Sequence, residues 1–263
     1  MSDSLDDLSQ FIAAGKNAPN VKVADKVAPL FGTRYNKRHW DASSKNGVRD
    51  AYGLSDADGI PFGALIHPDN PPSGAYGGFS LAWFPGEGGS LISLVVGTRG
   101  LQPDEGILTR PGHRRRVASL RRYLVKRGVT AWSKADPAAI SIDMPKTARQ
   151  QFAGENEGNA FSRAMDRYAS VLYCVARVPS NNPTAARMIV AAFLNLYAFE
   201  RGWGVNAAGK TEFEAFHGAL RADLFETPNL AAVHDLLMKR RFVVLQGPPG
   251  TGKTRLAEQI KRY

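Results

Sequence analysis

The feature that most constrains this chain is a glycine-rich octapeptide near its end, GPPGTGKT at residues 247–254. Its spacing fits G-x-x-x-x-G-K-[ST], an apolar run, FVVLQ, precedes it, and TRLAEQIKR follows with a helical pattern. Such a loop turns backbone N–H groups onto phosphates, while its Lys reaches the β- and γ-phosphates and its hydroxyl binds Mg²⁺. The sequence therefore predicts a nucleotide-binding strand, loop and helix, with Thr254 as the Mg²⁺ contact. The predicted nucleotide-binding residues are Gly247, Pro248, Pro249, Gly250, Thr251, Gly252, Lys253 and Thr254.

This loop lies close to the end of the sequence, and its position determines the domain organisation that we expect. Only one short helical pattern follows it, whereas a P-loop fold needs further strands and an acidic residue for the metal. We expect a fragment of a longer protein that uses GTP or ATP with Mg²⁺ only at full length. We also expect that the apolar run at 242–246 cannot be properly buried as a strand.

Charge and composition indicate the class of partner. Lys and Arg number 34 against 24 Asp and Glu, giving a formal charge of +10, which favours a polyanion such as nucleic acid. The acidic start, MSDSLDDLSQ, does not resemble a signal peptide, and no run of about 18 apolar residues is present. We expect a cytoplasmic protein without a membrane partner. The single cysteine, Cys174, lies in an apolar run and is expected to be a buried structural thiol.

Hydrophobic periodicity upstream of the loop predicts an α/β (α+β) fold. Strand-like runs at 61–67, 78–84 and 91–98 are separated by PDNPPSG and PGEGG, which predicts a mixed or antiparallel sheet. Because Trp83 and Phe84 are neighbours on one strand, one should face the core and the other outward, where it could equally cover a helix. Helical patterns are expected at 5–15, 113–127, 160–177, 183–201 and 228–240, with 160–177 and 183–201 packing as a helical pair.

Basic residues concentrate in two places. The pattern at 113–127 puts Val117, Leu120 and Leu124 on one face. The basic positions proposed to contact a DNA backbone are Arg114, Arg115, Arg121 and Arg122 on this helix and Arg34, Lys37, Arg38 and Lys45 in an earlier loop. A solvated helix face without a ligand is the alternative for the first group.

No catalytic residue is assigned in this chain. The closest approach to a nuclease-type acid–Lys pair, Asp143-Met-Pro-Lys146, is one residue too long, and the five histidines show no metal-ligand spacing. If DNA is cleaved by this system, we expect a separate subunit to carry the nuclease.

Two segments carry a resemblance to a known family. The text VVLQGPPGTGKTRLA resembles the AAA+ module of McrB-type modification-dependent restriction proteins, and GIPFGALIHPDNPPSGAYGGFSLAWFPGEGGSLISLVVGTRG resembles their N-terminal DNA-recognition domain. The resemblance implies that a modified cytosine is flipped out of the duplex and held between aromatic side chains, which supply about 1 to 3 kcal/mol per base. On matching positions it implies a pocket formed by Tyr52, Phe62 and Tyr76. It also implies a homo-oligomeric ring at full length and a nuclease partner.

The sequence thus predicts a DNA-recognition domain at 1–180, a helical connector at 181–240 and a truncated P-loop segment at 241–263. Alternatives stay open, and one of them is a stand-alone binding module whose P-loop segment has no activity. Phe62 and Tyr76 are equally compatible with ordinary core positions, and the chain could belong to an AAA+ protein-remodelling motor whose N-terminal domain binds a protein. A protein-binding domain should show an exposed apolar groove.

Overall fold

The computed structural model describes residues 3–19, 23–32, 34, 53–54, 60–70, 76–139, 143–153, 160–203, 210–224, 230–245 and 253–262. The chain divides into two compact units, Met1–Leu220 and Arg221–Tyr263. The first unit contains a sheet with helices on both faces, and the second contains helices.

An antiparallel sheet of six strands forms the centre of the first unit, in the order β1-β2-β3-β4-β6-β5. The strands are β1 (Gly53–Leu54), β2 (Pro61–Leu65), β3 (Phe79–Gly86), β4 (Gly89–Val96), β5 (Ala131–Ser133) and β6 (Leu172–Pro179). The β3–β4 hairpin turns through Glu87 and Gly88, and the φ angles of Gly88 and of the first β4 residue, Gly89, are 70° and 137°, which suit glycine. The sheet expectation is therefore confirmed in its antiparallel form.

One face of the sheet is covered by five helices. These are α1 (Ser4–Ala14), α2 (Val23–Phe31), α4 (His113–Val125), α7 (Pro183–Arg201) and α8 (Lys210–Leu224). A short 3₁₀ turn, Gly15–Asn17, follows α1, and a four-residue helix, α3 (Glu105–Leu108), precedes α4. Leu8, Trp83 and Phe193 are buried in this core, which is the larger of two.

The opposite face carries the second core beneath α5 (Lys146–Ala153) and α6 (Ala160–Tyr168). Phe84 is buried there at 5% exposure, while its neighbour Trp83 is fully buried in the first core. The two rings lie on opposite faces of the sheet, as the alternation predicts, and helices cover the face that carries Phe84. A strand covered on both sides buries consecutive side chains.

The helix predicted at 160–177 is correct only in its first half. Helix α6 ends at Tyr168, and the rest of the segment is strand β6, which lies between β4 and β5. The run VLYCVARV is rich in β-branched and aromatic residues and lies in the middle of the sheet, where a continuous apolar run is expected. The expected helical pair is therefore a strand followed by α7.

Helix α7 packs into the first core together with α1 and the sheet, so the first unit extends beyond residue 180. Helix α8 follows, with Phe216 and Leu220 buried in the same core. Among the described residues none of the helices combines the length and apolar character needed to cross a membrane.

The second unit contains α9 (Leu230–Arg240) and α10 (Lys253–Arg262), which contact each other. The strand expected at 242–246 is not formed over its described part, 242–245, and Phe242 and Val244 are 74% and 79% exposed. A strand of this kind needs a partner strand, and the described residues of this unit contain none.

Candidate functional sites

The described part of the nucleotide motif is the start of helix α10. Lys253 is its first residue and is half-buried, and Thr254 follows and is exposed. Residues 247–252 lie outside the described residues. The first-turn N–H groups of a helix have no partner within the helix and favour an anion. The order of a Lys and then a hydroxyl at this helix start therefore fits a Mg²⁺-bound phosphate.

Helix α4 is an amphipathic helix whose apolar stripe is buried and whose opposite face is basic. Val117, Leu120 and Leu124 are fully buried in the first core, as the sequence predicted. Arg114, Arg115, Arg121 and Arg122 are all exposed. Residues seven apart on a helix lie on the same face, so these four positions form two neighbouring rows, 114 with 121 and 115 with 122.

The exposed charges of α4 are only partly neutralised. Arg114 lies 3.0 Å from Asp136, and Arg122 donates to the Ser119 hydroxyl at 2.8 Å. Neither Arg115 nor Arg121 forms a salt bridge with an acid among the described residues. The segment 106–135 contains no Asp or Glu. Within the described part of the chain, this face therefore presents two arginines, Arg115 and Arg121, without an acidic partner.

The first turn of α4 is held by a buried carboxylate from another helix. Glu200 of α7 is fully buried and accepts hydrogen bonds from Nε and Nη2 of Arg116, and its Oε2 lies 3.0 Å from Nδ1 of His113. Burial alone would raise the pKa of Glu200, but the adjacent His113 and the hydrogen-bonded Arg116 hold that pKa below its ordinary value. Glu200 is therefore an ionised buried group between two α4 side chains.

The next residue of α7, Arg201, forms a second buried ion pair. Its guanidinium donates to both carboxylate oxygens of Asp104 and to the carbonyl oxygen of Phe79. Asp104 also accepts from the Phe79 N–H at 2.7 Å. Arg201 and Asp104 are each 3% exposed. This pair fixes the beginning of β3, whereas the Glu200 pair fixes the beginning of α4.

Phe62 and Tyr76 are both half-buried and pack against the second core. Gly63 pairs with Trp83, so continuing this register by one residue puts Phe62 opposite Phe84. The carbonyl of Tyr76 accepts from the Arg99 N–H at 2.8 Å, beyond the other end of β3, where Phe79 pairs with Val96.

The five residue-to-residue steps from Phe79 to Phe84 span about 17 Å of strand. Phe62 and the backbone of Tyr76 therefore lie toward opposite ends of β3, and both side chains pack against the second core. Tyr52 lies outside the described residues, but Gly53, which follows it in the chain, pairs with Phe62.

The remaining predicted DNA contacts divide between described and undescribed parts of the chain. Arg34 is described and exposed after α2, and Lys37, Arg38 and Lys45 lie outside the described residues. No group of three or more metal-binding side chains occurs within the described ranges. Cys174 is fully buried, and burial raises the pKa of its thiol, as expected of a structural thiol.

Sequence reasoning missed both buried ion pairs at the end of α7. The available signal was the pair Glu200-Arg201 at the end of an otherwise apolar helix, AAFLNLYAFER. Charged residues are almost never fully buried unless paired, so such a position implies distant partners. Which residues these partners are, however, can be read only from the three-dimensional structure.

Comparison with known proteins gives one partial match. The model of a family described as novel STAND NTPase 3 matches residues 224–263, which include α9, the P-loop motif and α10. No curated protein and no solved structure matches the chain significantly. The C-terminal segment is therefore similar to an NTPase family, and this similarity begins within the last turn of α8.

Proposed function

We propose that the first unit binds double-stranded DNA through the exposed face of α4 and that it belongs to a nucleotide-dependent restriction or defence protein. The single observation that supports this most is the uncompensated positive charge of Arg115 and Arg121, within a segment free of acids. Lys and Arg contacts to phosphates supply most of the sequence-independent affinity for DNA.

A base-reading contact is the second part of this proposal. In the McrB-type interpretation a modified cytosine is flipped from the duplex and stacks on Phe62, with Tyr52 as its second wall. This choice is supported by the pairing of Phe62 with Gly53, which follows Tyr52 in the chain, and by the position of the Tyr76 backbone beyond the other end of β3. Helix α4 and Phe62 belong to opposite faces of the sheet. We therefore propose that backbone binding and base reading are separable contacts.

Nucleotide binding is the third part. We propose that GTP or ATP with Mg²⁺ binds residues 247–254 and that hydrolysis of this nucleotide drives the complex. Lys253 would hold the β- and γ-phosphates and Thr254 the Mg²⁺ ion. A homo-oligomeric ring, a separate nuclease subunit and a cytoplasmic location complete the proposal.

The protein-binding alternative has less support in the first unit. Its exposed large apolar side chains, among the described residues, are Val125 at 47% and Phe199 at 38%. The Phe199 ring is already in contact with Arg116 and His217. Two scattered side chains do not form the apolar groove that a peptide or helix requires.

The experiment that tests this function measures binding of the full chain to matched duplexes that differ in one cytosine, which is unmodified, methylated or hydroxymethylated. We expect binding of every duplex to weaken with salt, and one modified duplex to bind at least about tenfold better, about 1.4 kcal/mol. Phe62→Ala should remove this preference and Tyr76→Ala should retain it. Absence of binding to any duplex at low salt would refute DNA binding and leave the protein-binding motor as the alternative.

A further inference from the structure

Helix α4 begins with a sequence that is poorly suited to a helix N-terminus. Its first turn carries Arg114, Arg115 and Arg116 and no acid, and its N-cap, Gly112, provides no side-chain hydrogen bond. Positive charges at the positive end of a helix dipole are unfavourable, and the usual remedies are an acidic first turn or a capping side chain. Contacts with residues outside the helix must therefore hold this first turn in its helical conformation.

Glu200 supplies the missing negative charge from α7. Its carboxylate binds Arg116 with two hydrogen bonds and lies 3.0 Å from Nδ1 of His113, so it joins positions 113 and 116 of α4. These positions are three apart and face the same side of the helix. Once they are fixed toward α7, the intervening Arg115 and the following Arg121 must point away from it.

We infer that Glu200 is a positioning residue for DNA binding, because it orients the basic face of α4 without touching DNA. The inference rests on the proposed function. An α4 with a fixed first turn presents its arginines to several phosphates at once, and an α4 with a free first turn does not. Removal of the Glu200 charge should therefore reduce the number of simultaneous phosphate contacts.

The experiment compares Glu200→Gln with Asp104→Asn in the full chain. Each change replaces a buried, Arg-bound carboxylate by an amide of the same shape, and each involves the last turn of α7. Of the two carboxylates, only that of Glu200 forms hydrogen bonds with a side chain of α4. Binding to an unmodified duplex is measured across salt concentrations, below the melting temperature of every variant. Hydrogen exchange of α4 amides is measured in parallel.

Both variants should lower the melting temperature. Glu200→Gln alone should weaken DNA binding about tenfold at low salt, reduce the salt dependence by about one phosphate contact, and speed exchange in the first turn of α4. Arg116→Gln should do the same, and the double variant should be no worse than either single one, because both remove one interaction. Arg116 is more exposed than Glu200, so this variant also serves if Glu200→Gln does not fold.

Two outcomes would overturn the inference. One is DNA binding by Glu200→Gln with the affinity and salt dependence of the original protein. The other is an equal loss in Asp104→Asn, which would reduce Glu200 to a residue that merely stabilises the fold. If the unmodified chain binds no duplex, the proposed function itself fails, and unchanged exchange in α4 of Glu200→Gln would then separately refute the positioning role.

Discussion

Removal of the two uncompensated arginines of α4 gives the most direct test of the DNA-binding face. In the Arg115→Ala, Arg121→Ala variant, both substitutions lie on the exposed side of a helix whose buried side is unchanged. Alanine is the best helix former, so the helix itself should not suffer. Any change in DNA affinity then reflects the lost charges.

The magnitude follows from counterion release. Each phosphate contact contributes about 0.9 to the slope of log affinity against log salt, so the loss of two contacts should lower that slope by about 1.8. At about 0.1 M salt this corresponds to roughly 60-fold weaker binding, or about 2.4 kcal/mol, if the non-electrostatic part of the affinity stays constant.

Fluorescence anisotropy of a labelled duplex, titrated with the full chain at several salt concentrations, measures both quantities. The matched control is the Lys146→Ala, Arg163→Ala variant, which removes two exposed cations from α5 and α6 over the opposite face of the sheet. This control should keep the original slope. An unchanged slope in the α4 variant, or an equal decrease in the control, would show that net charge and not the α4 face governs binding.

Three further predictions concern the nucleotide motif, the thiol and the buried carboxylate. Lys253→Ala should abolish binding of fluorescent GTP and ATP analogues and leave DNA affinity unchanged; nucleotide binding equal to that of the original chain would argue against a P-loop. Cys174 is buried and its pKa is raised, so a thiol reagent should modify it only at the rate of unfolding. Rapid modification of the folded chain would contradict this burial. The pKa of Glu200 is lowered from 4.5, so its ionised form stabilises the fold above about pH 4.5, and this contribution is lost as the pH falls below that value. The difference in melting temperature between the original chain and Glu200→Gln should therefore shrink on acidification, and a constant difference would refute an ionised Glu200.

The predictions from sequence succeeded where a local pattern decides the structure. The spacing of Val117, Leu120 and Leu124 predicted both the helix α4 and its buried side, and the turn residues around Gly88 and Gly89 marked the β3–β4 hairpin. The helix after the P-loop was also correct. In each case residues within one element contain the whole signal.

The predictions failed where contacts between residues far apart in the sequence determine the structure. The run VLYCVARV is compatible with helix or strand by periodicity alone, and its position between β4 and β5 makes it a strand. For Trp83 and Phe84 the alternation correctly predicted opposite faces but left open whether the outward ring is exposed or covers a helix, and both are buried because two separate groups of helices cover the sheet. The partners of Glu200 lie 84 or more residues away in the sequence, so no local pattern predicts them.

The residues predicted for the base pocket also show that a sequence pattern does not determine how far apart two segments lie in the fold. Phe62 and Tyr76 belong to segments that resemble one family's domain, and each lies partly exposed on the same face of the sheet. A resemblance in sequence gives no distance between two side chains, however. The strand register places the segments of Phe62 and Tyr76 toward opposite ends of β3. The register pairs Phe62 with Gly53, the residue that follows Tyr52 in the chain.

The position of β6 beside β4 has a consequence for the synthesis of this protein. Residues 97–171 separate the two strands, and a ribosome needs roughly 4 to 15 s to add them. For that time one edge of β4, with its apolar sequence GSLISLVV, has no β6 to pair with. Unpaired apolar edges are where nascent chains associate with one another. Fragments that end before residue 172 should therefore aggregate when expressed, and soluble production of the sheet requires every residue through β6.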